Sequence, residues 1–183
     1  MAEILLISAD KVRALTTIHD NVEDNYLRPC IYEAQEISLA SVLGTTLLGQ
    51  LKTIVNAGTV DQPENASYKA LLLACQYYLA YMTVAGLIPK VSWKVGNFGL
   101  VKTGDENLRE ATAAEIDKAI KDWTDKADMW CKNLQMFVLN HRAEFPELTE
   151  GDAHRIHANL YSAASCGVWL GGARGKEIRR ACK

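Results

Sequence analysis

The apolar positions along the chain fall mostly at helical spacing, and they divide it into a series of helices with one short interruption. Ser8 reads as an N-cap, with Asp10 near the positive end of the helix dipole, and Val12, Leu15, Thr16 and Ile18 mark a first short helix. Asn21 is placed to cap a second segment, which Pro29 interrupts or restarts. Ile31, Ala34, Ile37, Leu39, Val42 and Leu43 then supply apolar positions up to Gly44, which suits a C′ position. Thr45 restarts the chain, and Leu47, Leu48, Leu51, Ile54 and Val55 follow until Asn56-Ala57-Gly58. Residues 58–65 form a polar loop around Pro63.

Residues 69–88 are apolar on every side, with only Lys69, Gln76 and Thr83 plainly polar. The stretch reaches membrane-spanning length. Its tyrosines, Tyr77, Tyr78 and Tyr81, sit in the middle instead of at interfacial ends, and Gln76 would lie near the bilayer centre. A central core helix, or a core helix that also meets a neighbouring subunit, fits better, because a helix apolar all round must be covered all round. Gly86 and Pro89 are expected to stop it. Val91 to Val95 alternates with period two, Gly96-Asn97 is a two-residue turn signal, and Phe98 to Lys102 returns, so a hairpin is expected over 91–102. Thr103-Gly104-Asp105 leads into the longest helix, over 111–142. Its stripe is Ile116, Ile120, Trp123, Ala127, Trp130, Leu134 and Phe137, with Trp123 and Trp130 expected to face the 69–88 helix. On the other face Asp117–Lys121, Asp122–Lys126 and Asp128–Lys132 are acid-before-base pairs four residues apart. Phe145-Pro146 closes the helix, a short helix is expected from Asp152 towards Ala164, and residues 167–183 are Gly- and Arg-rich. The fold class that follows is mainly α. It is a helical bundle with one long C-terminal helix, a small β-hairpin insertion and an extended basic tail. The division is a domain over 1–150 and an extension over 151–183.

Composition adds a charge asymmetry. The 183 residues carry 20 Lys+Arg and 22 Asp+Glu, a net charge of −2, which argues against a generic nucleic-acid binder. Residues 1–150 hold 14 basic and 20 acidic side chains (−6), and residues 151–183 hold 6 and 2 (+4). The basic tail, with Arg174, Lys176, Arg179, Arg180 and Lys183, admits three readings: a solubilising end, a segment that docks on an acidic partner or sibling subunit, or a contact to DNA phosphates. Five widely spaced cysteines without a CxxC pair are expected to be reduced thiols. Met1 to Ile7 has no positive n-region and too short an apolar run for a signal peptide.

The chemical motifs do not assemble into a catalytic site. Ser8-Ala9-Asp10-Lys11 fits S-x-x-K and Lys102-Thr103-Gly104 fits K-T-G, but the S-D-N motif is missing and Ser8 serves as a cap. His154 and His157 can share a helix face, yet zinc needs two further ligands, and Cys166 and Asp152 have no recognised spacing. Gly171 to Lys176 lacks the glycine and the Ser/Thr of a phosphate loop. No catalytic residue, cofactor or metal site is expected.

The order of segments resembles a family. Ile7-Ser8, Ile18, Asn21-Val22, Pro29, Ile31 and Glu33-Ala34-Gln35 are followed by Leu43-Gly44 and a Tyr-rich helix. A Gly-containing hairpin comes next, and then a long helix that ends in Asn140 and Phe145-Pro146-Glu147. The series, over residues 4–150, is similar to the head–tail connector (adaptor, or neck ring) proteins of tailed bacteriophages. The resemblance implies an all-α subunit with a minor hairpin, of which about twelve copies form a ring beneath the portal and extend the DNA channel towards the tail. It implies a homo-oligomer, a portal-protein partner, further neck or tail proteins, and genomic DNA that passes without sequence-specific binding. It implies no membrane partner. Its place would be the virion's head–tail junction, and the host cytoplasm during assembly. Trp93, Phe98, Trp169, Leu170, Arg174, Arg179 and Arg180 are the candidate partner contacts. The alternatives are another neck or tail-completion protein, and a helical DNA-binding regulator, which would need a basic recognition helix that this chain lacks.

Overall fold

Helices form where the apolar spacing places them, and their ends show why. The computed structural model describes residues 3–96, 99–102, 112–148, 151, 153, 155 and 156. Helix α1 (Ala9–Leu15) starts at Ser8, whose hydroxyl accepts the Lys11 N–H at 3.2 Å. Helix α2 (Asp24–Glu33) starts at Glu23 without a side-chain cap, so Asn21 is not its cap, and Pro29 lies inside the helix. A π-helix (Ala34–Leu39) and the short α3 (Ala40–Leu43) continue the same rod. Gly44, at φ +82°, turns the chain into α4 (Thr45–Asn56), and Gly58, at φ +69°, follows its end. Both glycines occupy the left-handed region that a Cβ disfavours.

Helix α5 (Ala66–Ser92) is the centre of the molecule, meeting α1, α2, the π-helix and α6. It runs past Gly86 and through Pro89 to Ser92, so neither residue stops it. Val91 and Ser92, expected in a strand, are its last turn. Strands β1 (Trp93–Gly96) and β2 (Gly99–Lys102) pair antiparallel, with Gly96 opposite Gly99. Gly96 is therefore a paired strand residue and not the first residue of the turn. The span 63–92 is long and apolar enough to cross a membrane, but Leu71, Cys75, Leu79 and Val84 are buried within the subunit.

Helix α6 (Ala113–Asn140) begins in a capping box. The Thr112 hydroxyl accepts the Glu115 N–H, and the Glu115 carboxylate accepts the Thr112 N–H. The helix runs antiparallel to α5, as the pairs Tyr81–Trp123, Tyr77–Trp130 and Tyr68–Phe145 show. Its buried line is Ile116, Ala127, Leu134, Gln135 and Val138, a stripe that drifts off the strict heptad because an α-helix turns every 3.6 residues. On the solvent face Lys121 pairs with Asp125 at 2.7 Å and not with Asp117. Ala153 and Ile156 are buried in the same apolar cluster as α5 and α6, so packing continues past residue 150.

Candidate functional site

The π-helix creates the first notable surface. Its backbone widens by about one residue per turn relative to an α-helix, so Ala34 and Leu39, five positions apart, both face the core. Two residues along a helix are about 200° apart even in the α form, so burial of Leu39 leaves Ile37 on the opposite, outer side. Ile37 is 69% exposed and Gln35 is completely buried. Ile37, expected on an apolar helix stripe, is thus a surface residue. It borders a cleft of about 130 Å³ whose walls include Cys30, Ala34, Met82 and Gly86. The cleft is open above Gly86, where a Cβ would meet nothing within 4 Å.

Gln35 turns inward to hold the N-terminal segment. Its Oε1 accepts the Leu6 N–H at 2.8 Å, and its Nε2 donates to the Ile4 carbonyl at 2.9 Å and to Glu36 Oε1 at 2.8 Å. From the other side Gln76 Nε2 of α5 donates to the Leu6 carbonyl at 2.8 Å. The two amides satisfy the backbone of one irregular segment as neighbouring strands do in a sheet, and Leu6 and Ile7 are buried there. Lys52 of α4 pairs with the Glu36 carboxylate. Burial pushes that carboxyl up, but the Lys52 ammonium and the Gln35 amide more than offset it, and Glu36 lies below its ordinary value.

The second surface is the seam of α5 and α6. Tyr77 stacks on Trp130 with centroids 4.5 Å apart and planes 12° apart, and Tyr81 packs between Trp130 at 6.3 Å and Trp123 at 5.6 Å. Lys126 Nζ stands 4.7 Å from the Trp123 ring centre. Both tryptophans are partly buried and pack against the core, on the side of α6 that faces α5. Beside this ladder Leu73 and Tyr77 stay 45% and 39% exposed.

A more polar pocket of about 280 Å³ lies beside α1, lined by Glu3, Leu5, Ile7, Ser8, Asp10 and Arg28 among others. Two of its carboxylates are already engaged: Arg13 bridges Asp10 at 2.9 Å and Asp24 at 2.6 Å. Ser8 is committed to its cap, as the sequence indicates. His141 closes α6, its ring stacked on Phe137. Burial raises the thiol pKa of Cys30 and Cys75, and that of Cys131 to about 11, so all three are protonated, unreactive thiols near neutral pH. Among the described residues no group of three His, Cys, Asp or Glu side chains is arranged for a metal.

Of the candidate partner contacts, Trp93 lies in β1, where the backbone alone is described. Phe98, Trp169, Leu170, Arg174, Arg179 and Arg180 lie outside the described residues, as do His154, His157, Cys166 and Cys182. The sequence reading missed the cleft and the Gln35–Gln76 clamp. The available signal was the two-residue step from Ile37 to Leu39, which no α-helix stripe accommodates.

No curated protein and no solved structure matches the chain. A family model described as a family of unknown function, DUF6712, matches residues 39–156, from the end of the π-helix through α6 to the last buried residue of the core. That span is more than half of the chain and takes in the α5–α6 seam, and the protein belongs to this family.

Proposed function

We propose that the protein is a structural virion protein of a tailed bacteriophage. It is a subunit of the ring that joins the capsid portal to the tail and continues the DNA channel. The observation that carries this reading is the ordered series of residues over 4–150, from Ile7-Ser8 to Phe145-Pro146-Glu147, which resembles the head–tail connectors. The exposed apolar residues on two helical surfaces support it, because a subunit that works by self-association needs surface to bury. In this reading about twelve copies close into a ring through head-to-tail contacts. The hairpin, with Trp93 and Phe98, contributes to those contacts. The tail, with Trp169, Leu170, Arg174, Arg179 and Arg180, reaches to a neighbour or to the portal. The acidic body lines the channel and repels DNA, so that the genome slides without sticking.

The test is co-expression with the portal protein encoded by the same genome, followed by electron microscopy and native mass measurement. The expected result is a ring bound coaxially to the portal, and the mass gives the copy number. A chain that neither binds the portal nor is incorporated into virions overturns the reading. Sequence-specific DNA binding would point instead to the regulator.

A further inference from the structure

The cleft of about 130 Å³ is walled by Cys30, Ala34, Ile37 and Ser38 on the rod of α2 and the π-helix, and by Met82 and Gly86 on α5. Ile37 at its edge is the most exposed large apolar side chain among the described residues. The end of the core returns to this place. The Arg155 guanidinium donates to the Ser41 carbonyl, more than a hundred residues back along the chain. Ser41 stands four residues, about one helical turn, beyond Ile37 and three beyond Ser38 on the same rod. Ile37 and Ser41 are both exposed, so Arg155 is tied to the side of the rod on which the cleft opens. Ile156 is the last described residue, and it is buried in the core. The rest of the sequence therefore departs from a fixed point close to the cleft.

We propose that the occupant of the cleft is the Val168-Trp169-Leu170 triplet of the same chain, which lies outside the described residues. Reach allows it. Val168 is twelve residues beyond Ile156, and twelve residues extend to about 40 Å, several times one helical turn. Chemistry matches, because an apolar triplet meets walls that are mostly apolar or small, and the open space above Gly86 leaves an entrance. Charge favours the same docking. Residues 157–183 hold 5 basic and 1 acidic side chain (+4), and residues 1–156 hold 15 and 21 (−6). The tether does the rest: a segment held this close is present at an effective concentration on the order of millimolar, so a weak apolar contact is occupied without any partner. The tail is then a strap. Seated, it covers the cleft and withholds the triplet from other proteins; released, it exposes both at once. Such an autoinhibitory contact acts whatever the protein assembles with, so the inference does not depend on the ring reading.

The experiment measures chymotrypsin cleavage after Trp169 in the full-length chain, with no portal present. Gly86→Leu fills the cleft, and the open space above Gly86 lets the helix accept it. Circular dichroism and thermal melting show that the variant is folded; should it not be, Ile37→Lys, at an exposed position on the cleft edge, takes its place. A synthetic peptide of residues 164–175 gives the rate for an uncovered site. The expected result is that the wild type is cut at least about tenfold more slowly than the peptide, and that filling the cleft brings the rate up towards the peptide's. The wild-type rate should not change with protein concentration, because the contact is made within one chain. A wild type cut as fast as the peptide overturns the inference. Protection that survives in the cleft variant also overturns it, since the triplet is then seated elsewhere. Protection that appears only on concentrating the protein means that a second copy's tail is the occupant, and it overturns the strap. None of these outcomes bears on the ring reading, which stands or falls on binding to the portal.

Discussion

Helices α5 and α6 are 27 and 28 residues long and lie against each other, yet they use their surfaces in opposite ways. Helix α6 is amphipathic, although Met129 and Met136 are exposed on it. One line of residues is buried, and charged side chains such as Asp122, Asp125 and Lys126 stay in water. Its main neighbour is α5. Helix α5 has almost no polar side, and burial reaches nearly around it at Ala80, Thr83, Val84, Ala85 and Leu87. It needs several neighbours, and α1, α2 and the π-helix supply them. Where those neighbours run out, apolar surface remains at Leu73 and Tyr77 and at the cleft beside Met82 and Gly86. An amphipathic helix is served by one packed side, whereas an apolar one draws on neighbours all round it.

The largest effect is expected where both helices bury the same core. Leu79→Ala in α5 and Leu134→Ala in α6 remove side chains that are 0% and 1% exposed. Each should cost about 3 kcal/mol in chemical denaturation. If α5 truly has neighbours on every side, Leu79→Ala is the more damaging of the two.

The polar clamp behind the π-helix comes next. Gln35→Leu leaves the Leu6 N–H buried without an acceptor and should cost roughly 2 kcal/mol. Amide exchange at Leu6 should accelerate far more than exchange within α6, which separates loss of the clamp from general loosening. Equal acceleration in both places would mean that Gln35 is only a packing residue.

A smaller effect concerns pH. The Glu36 carboxyl lies below its ordinary value of 4.5 in the folded protein, held there by Lys52 and Gln35 against the upward push of burial. The stability it contributes is complete above the unfolded value and is lost as pH falls through the folded value. Glu36→Gln should therefore lower stability by about 1 kcal/mol at neutral pH, and the gap to the wild type should close on acidification below that range. A gap independent of pH would place its origin elsewhere.

The smallest effect is at the start of α6. Thr112→Ala removes one half of the capping box and should cost about 1 kcal/mol, with Ser8→Ala giving a similar loss at α1. Both caps belong to the local part of the fold, so neither should alter assembly.

Much of this architecture was legible in the order of residues. The Ser8 cap, the glycine breaks at Gly44 and Gly58, the apolar 69–88 stretch and the Ile116-to-Phe137 stripe are local or periodic signals. A helix face or a cap is decided within a few residues of chain. What the sequence did not reveal depends on partners distant along it. Pro89 stays helical because α5 is held by packing on several sides, which outweighs the hydrogen bond it cannot make. Gln35 is buried because Ile4 and Leu6, about thirty residues away, offer it a carbonyl and an N–H, and the π-turn brings Ala34, Gln35 and Leu39 to the buried side. Periodicity counts apolar side chains and is blind to a buried amide, so the cleft beside Ile37, Met82 and Gly86 was decided by tertiary structure alone.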